Sequence, residues 1–101
     1  MVIVKDEKEF NKEIEKGKVL VDFYADWCGP CKMLGEILKE VDKDKVIKIV
    51  KVNVDEFEDL ARVYNVITIP KLLVMEDKEV INEHSGLMTK EELLNFIGND
   101  K

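Results

Sequence analysis

The chain has 101 residues, with 16 Lys or Arg against 22 Asp or Glu and a formal charge of −6. That length suits one domain, read here as 1–101, and buries roughly two-thirds of the surface an unfolded chain exposes, so no disulfide framework is needed. The acidic balance excludes nucleic-acid binding, which requires a concentrated positive field, and 46% apolar with 38% charged residues excludes a disordered chain.

Val2-Ile3-Val4 precedes Lys5 and Asp6 and is far shorter than the apolar region of a signal peptide. No stretch approaches the ~20 apolar residues of a membrane span. The expected address is the cytoplasm, with no membrane contact. In chain order, Val2-Ile3-Val4 reads as a strand, and Asp6 with Glu9 caps a helix whose inner face carries Phe10 and Ile14, with Gly17 as its stop. Val19 to Ala25 is a nearly continuous apolar run, the pattern of a central strand covered on both faces. Leu34, Ile37, Leu38 and Val41 then mark an amphipathic helix, and Val46 to Val54 a β-branched strand. Asp55 and Glu58 repeat the capping spacing before Leu60, Val63 and Tyr64 on a third helix. Leu72–Met75 and Val80–His84 read as a hairpin across Glu76 to Glu79. Thr89 with Glu92 caps a last helix through Leu93, Leu94 and Ile97 that stops at Gly98. The expected fold is α/β, in the order β-α-β-α-β-α-β-β-α, with a mixed sheet flanked by helices on both faces.

Trp27-Cys28-Gly29-Pro30-Cys31 falls where the second strand gives way to the second helix. A helix N-terminus offers unsatisfied N–H groups and partial positive charge, which favour a thiolate, and proline suits the first turn. Cys28 is expected at the tip as the nucleophile. Cys31 is expected one turn inward, where it resolves the mixed disulfide. A zinc site lacks ligands, with His84 as the one nitrogen donor, and a staple across so short a loop constrains little.

With these residues in register, the chain resembles the thioredoxin family over nearly its whole length. Val21 to Lys32 is similar to that family's active-site strand and turn, and Lys51-Val52-Asn53-Val54-Asp55 to its third strand. Thr68-Ile69-Pro70 is similar to its cis-proline loop, and Gly86 to the glycine of its binding groove. The resemblance implies the thioredoxin fold and reduction of protein disulfides through a reversible Cys28–Cys31 disulfide. It implies no bound cofactor and no metal, and a monomer whose partners are disulfide-containing proteins and a recycling reductase.

A carboxylate in a covered strand loses hydration, so Asp22 is expected to hold its proton unusually tightly. The resemblance makes it the proton acceptor for Cys31, tuned by Lys51; the alternatives are a purely structural pair, or a lysine that only reaches solvent. The resemblance also makes the Ile69–Pro70 bond cis, with the backbone of Ile69 pairing with substrate main chain. Trp27, Gly29, Pro30, Ile69 and Gly86 are expected to rim Cys28, set against simple packing for Trp27 and a plain turn for Gly86. His84 reads as a solvated strand residue, and Lys43, Lys45 and Lys48 as a solvated face.

Three positions depart from the family pattern. Glu36, after Gly35, stands where a helix-bending proline is usual. Lys71 replaces the usual threonine after the proline and brings a cation toward the active site. Asp77-Lys78 replaces the hairpin glycine. Gly29-Pro30 between the cysteines fits the reducing branch rather than an oxidising or isomerising one, and the intact motif argues against a binding module with incidental cysteines.

Overall fold

Side-chain alternation along the second strand decides the layering. In the computed structural model, which describes residues 1–98, β2 (Lys18–Tyr24) lies between β3 (Lys48–Asn53) and β4 (Lys71–Glu76), with β1 (Val2–Ile3) outside β3 and β5 (Glu79–Ser85) outside β4. β1, β3 and β2 run parallel, and β4 and β5 antiparallel, as crossover helices followed by a hairpin require. Val19, Val21 and Phe23 face one way and pack with Val50, Val52, Leu73 and Met75 against Phe10 and Ile14, and against Leu60 of α3 (Glu58–Val63). Leu20 faces the other way with Ile49, Leu72 and Val74, under Leu34, Leu38 and Val41 of α2 (Gly29–Lys43) and Leu93 of α4 (Lys90–Phe96). By alternation Asp22 and Tyr24 belong to the α2 side.

Two of the three expected caps form. Asp6 accepts from the Glu9 N–H at 2.7 Å at the start of α1 (Glu7–Glu13). Thr89 and Glu92 make a reciprocal capping box, and these bonds hold the Glu92 carboxyl below its usual range. α3 departs from expectation. Its N-cap is Phe57, without a side-chain cap bond, because the Asp55 side chain is engaged elsewhere. Gly17, expected as the stop of α1, lies in the following loop at φ 78°, and the helix ends at Glu13.

The hairpin turn is formed without glycine. Asp77 and Lys78 take φ 49° and 75°, the two positive values of a type I′ turn. Asp77 Oδ1 accepts from the Gly17 N–H at 2.8 Å, which ties the turn to the loop before β2. His84 is half-buried rather than solvated, its ring edge-on to Phe96 at 6.1 Å.

A lysine at positive φ carries a steric cost that glycine lacks. Lys78→Gly is expected to stabilise by about 0.5–1 kcal/mol, the relief less the added chain entropy, seen as a rise of a few degrees in thermal unfolding. Asp77→Gly, which removes the acceptor for Gly17, is expected to give no such gain.

Candidate active site

Cys28 is the N-cap of α2, and Gly29 and Pro30 form its first turn, where a missing N–H costs nothing. The cap bond runs within the motif: the Cys31 N–H donates to Cys28 Sγ at 3.2 Å. The two sulfurs form a disulfide. Exposure does not separate them as the helix-tip reading expected, because at 5% and 3% both cysteines are buried in the closed form. The distinction lies in position: Cys28 occupies the cap, and Cys31 lies within the first turn of α2, which covers the sheet. Ala25 and Ile69 pack against the pair.

The rim assembles from three loops. The Cys28 N–H donates to the Ala25 carbonyl at 3.2 Å and the Val54 N–H to the Tyr24 carbonyl at 2.9 Å, which fixes the turn beyond β2. The Ile69–Pro70 bond is cis. The Pro70 carbonyl accepts from the Gly86 N–H at 2.8 Å, joining that loop to the end of β5. Gly86 sits at φ 102° with open space where a Cβ would be, so backbone conformation rather than crowding calls for glycine. Trp27 is 71% exposed, and its indole donates to Asp55 Oδ2 at 2.9 Å. This is the engagement that takes Asp55 away from α3. The Asp55 N–H in turn donates to Asn53 Oδ1 at 2.9 Å, an Asx turn whose only sequence signal was the spacing Asn53-x-Asp55.

Asp22 is wholly buried, and neither carboxylate oxygen has a hydrogen-bond partner. Its strand neighbours in register are Lys51 and Leu72. Burial pushes its carboxyl up to about 7, against the opposing pull of Lys51, whose Nζ lies 3.9 Å from Asp22 Oδ2. A cleft of about 430 Å³ opens between the end of β2 and α2, lined by Tyr24, Asp26, Cys31, Lys32, Gly35 and Lys51 among others. α2 is one helix from Gly29 to Lys43, and Gly35 on it faces Lys51, where a Cβ would stand 3.7 Å from Nζ, an ordinary van der Waals contact.

The expectation that Lys71 brings a cation to the active site is corrected. Lys71 is 8% exposed and sits in register with Phe23, so it faces the α1 and α3 layer, opposite Asp22. Its ammonium is 2.9 Å from Glu83 Oε1 and donates to the carbonyls of Asn65 and Tyr64 at 3.3 and 3.5 Å. The charge is consumed by these partners.

The family profile described as Thioredoxin matches residues 1–99. The chain is 44% identical over 100 residues to the thioredoxin of Bacillus subtilis, covering 96% of each. It is 42% identical over 86 residues to that of Listeria monocytogenes, covering 83% of this chain and 84% of the other. A solved structure of a mutant thioredoxin from Halobacterium salinarum superposes with a TM-score of 0.88 at 34% identity, over 95% of this chain and 86% of that one.

The Asp22 displacement sets a pH dependence of stability. Between the ordinary carboxylate value of 3.8 and about 7 the folded state binds more protons at Asp22 than the unfolded state does, so stability falls as pH rises through that window and levels off above it. The Asp22 contribution amounts to a few kcal/mol, at about 1.4 kcal/mol per pH unit of displacement. Denaturant unfolding of the oxidised protein is expected to show this slope. Asp22→Asn is expected to remove it and to be the more stable protein at pH 8.

Proposed function

We propose a division of labour within this site from one premise: the chain belongs to the thioredoxin family, and it is a dithiol–disulfide oxidoreductase that reduces protein disulfides through a reversible Cys28–Cys31 bond. The observation that carries the assignment of roles is the closed Cys28–Cys31 pair at the start of α2, with the buried Asp22 on the strand that α2 covers. In the dithiol form the Cys28 thiolate attacks one sulfur of a substrate disulfide, and the other substrate sulfur leaves as a thiolate. Cys31 then loses its proton and attacks Cys28 Sγ, which closes the Cys28–Cys31 disulfide and releases the second substrate thiol. Two electrons and two protons pass to the substrate, and a reductase returns the pair to the dithiol.

Asp22 takes the proton from Cys31. A carboxylate held near 7 both accepts and returns a proton at neutral pH, whereas an ordinary one at 3.8 accepts poorly. Lys51 moderates it by favouring the charged form. Trp27, Gly29, Pro30, Ile69, Pro70 and Gly86 form the surface on which a substrate segment lies. The exposed indole and the tied Pro70–Gly86 loops support this, being the apolar and backbone groups around a sulfur that must meet many sequences. The protein works as a monomer in the cytoplasm, without a bound cofactor, since the electrons reside on the cysteines.

Cys31→Ser is expected to accumulate mixed disulfides with substrate proteins and Cys28→Ser to accumulate none, read on non-reducing gels; the opposite pattern reverses the two roles. Asp22→Asn is expected to slow resolution of the mixed disulfide by at least about tenfold at pH 7, and unchanged turnover there removes Asp22 from the mechanism. The reduction potential is expected near the value of about −270 mV ascribed to thioredoxins generally, and a value near about −180 mV assigns the chain to oxidative or isomerising work instead.

A further inference from the structure

The ammonium of Lys51 lies 3.9 Å from Asp22 Oδ2, beyond hydrogen-bonding distance. The ion pair therefore does not by itself fix a four-carbon side chain that can swing into the open cleft. A second group holds it there. Tyr24 lies two residues beyond Asp22 on β2 and so projects to the same side of the sheet, and Lys51 Nζ stands 4.4 Å from the centroid of its ring. Gly35, on the helix above, faces the ammonium, where a Cβ would stand 3.7 Å from it in ordinary van der Waals contact.

We propose that Tyr24 is a positioning residue: its ring face holds the Lys51 ammonium beside Asp22 through a cation–π interaction, and in doing so sets how readily Asp22 takes up and releases a proton. The Lys51 side chain is 16% exposed, so this interaction is partly desolvated and stronger than one on an open surface. Without the ring the ammonium moves into the water of the cleft, its attraction to the carboxylate weakens with distance and dielectric, and the proton on Asp22 is held more tightly. The aromatic face, not the hydroxyl, does the holding. Burial and the nearby Asp26, Glu56 and Asp22 push the tyrosine hydroxyl above its usual range, so it stays neutral. Lys32, Glu36 and Lys39 of α2 also line the cleft, and Leu72 of β4 flanks Asp22 from the other strand. All of these remain in place when Tyr24 is replaced.

The test follows the Asp22 carboxyl carbon by NMR against pH in the oxidised protein. Tyr24→Phe is expected to keep the wild-type midpoint. Tyr24→Leu and Tyr24→Met, either of which suffices if the other folds poorly, are expected to raise it by about half a pH unit or more. In a Lys51→Met background the same replacements are expected to leave the midpoint where Lys51→Met alone puts it, because the ring acts through the ammonium. An unmoved midpoint in the leucine and methionine variants overturns the proposal. So does an equal rise with and without Lys51, or a phenylalanine variant that behaves like leucine. The proposal deepens the reading of Asp22 as proton acceptor, but the titration involves no turnover. An unmoved midpoint alongside slow resolution in Asp22→Asn removes Tyr24 alone, whereas normal resolution in Asp22→Asn removes the acceptor and leaves the titration result standing.

Discussion

A carboxylate buried in the sheet without a hydrogen bond is the most costly polar feature of this fold, and the arrangement of the site follows from where it sits. Asp22 is flanked by β3 and β4 and covered by α2, so no water reaches it directly. A group in that position meets charge in only a few directions. The parallel register with β3 supplies one, placing Lys51 beside it, and the cysteine turn at the end of the same strand supplies the chemistry. Moved one residue along β2, the carboxylate would face the opposite layer, among residues such as Val50 and Leu73, on the side of the sheet away from Lys51 and the cleft beside the cysteines.

The same strand explains why the disulfide is free to open and close. Two apolar clusters on either side of the sheet, built on Val21 and Phe23 on one face and Leu20 and Leu34 on the other, hold the fold. The Cys28–Cys31 bond closes a separation of three residues, and so short a loop removes little entropy from the unfolded chain. What keeps the turn in shape is backbone: the Val54–Tyr24, Cys28–Ala25 and Gly86–Pro70 hydrogen bonds do not involve the sulfurs. Redox chemistry is thereby separated from structural support, since the bonds that shape the turn do not depend on the disulfide.

The layers, the element order and the cysteine site were legible in the sequence because each rests on a local pattern: alternation along β2, helical spacing through Leu34 and Leu38, the Thr89–Glu92 box, and cysteines at the start of a helix. What escaped were contacts between segments distant in sequence. Asp55 has the spacing of a helix cap, yet its side chain goes to Trp27, a choice fixed by how the end of β3 meets the active-site turn. Lys71 is a cation two residues from Ile69, and only the pleat of β4 turns it to the opposite face, where Glu83 takes its charge. Tyr24 gave no signal beyond being the aromatic end of an apolar strand, since its partner Lys51 lies on another strand. The Asp77-Lys78 turn escaped for a different reason: positive φ at non-glycine residues is uncommon, and here the bond from Gly17 to Asp77 supports it.

That pattern also bears on what the net charge means. A formal charge of −6 describes the whole surface, but the cleft beside the cysteines sets Lys32, Lys39 and Lys51 against Asp26 and Glu36, with Asp22 buried beyond them. Near neutral pH Asp22 is divided between its protonated and charged forms, so the cleft itself is close to neutral or slightly positive. A thiolate forming at Cys31 therefore meets no concentrated negative field, although the chain as a whole is acidic. The acidity of the surface acts on solubility and on encounter at distances within about a Debye length, roughly 8 Å at physiological salt. At Asp22 itself, the charge within reach is the Lys51 ammonium, which the β2–β3 register and the Tyr24 ring place beside it.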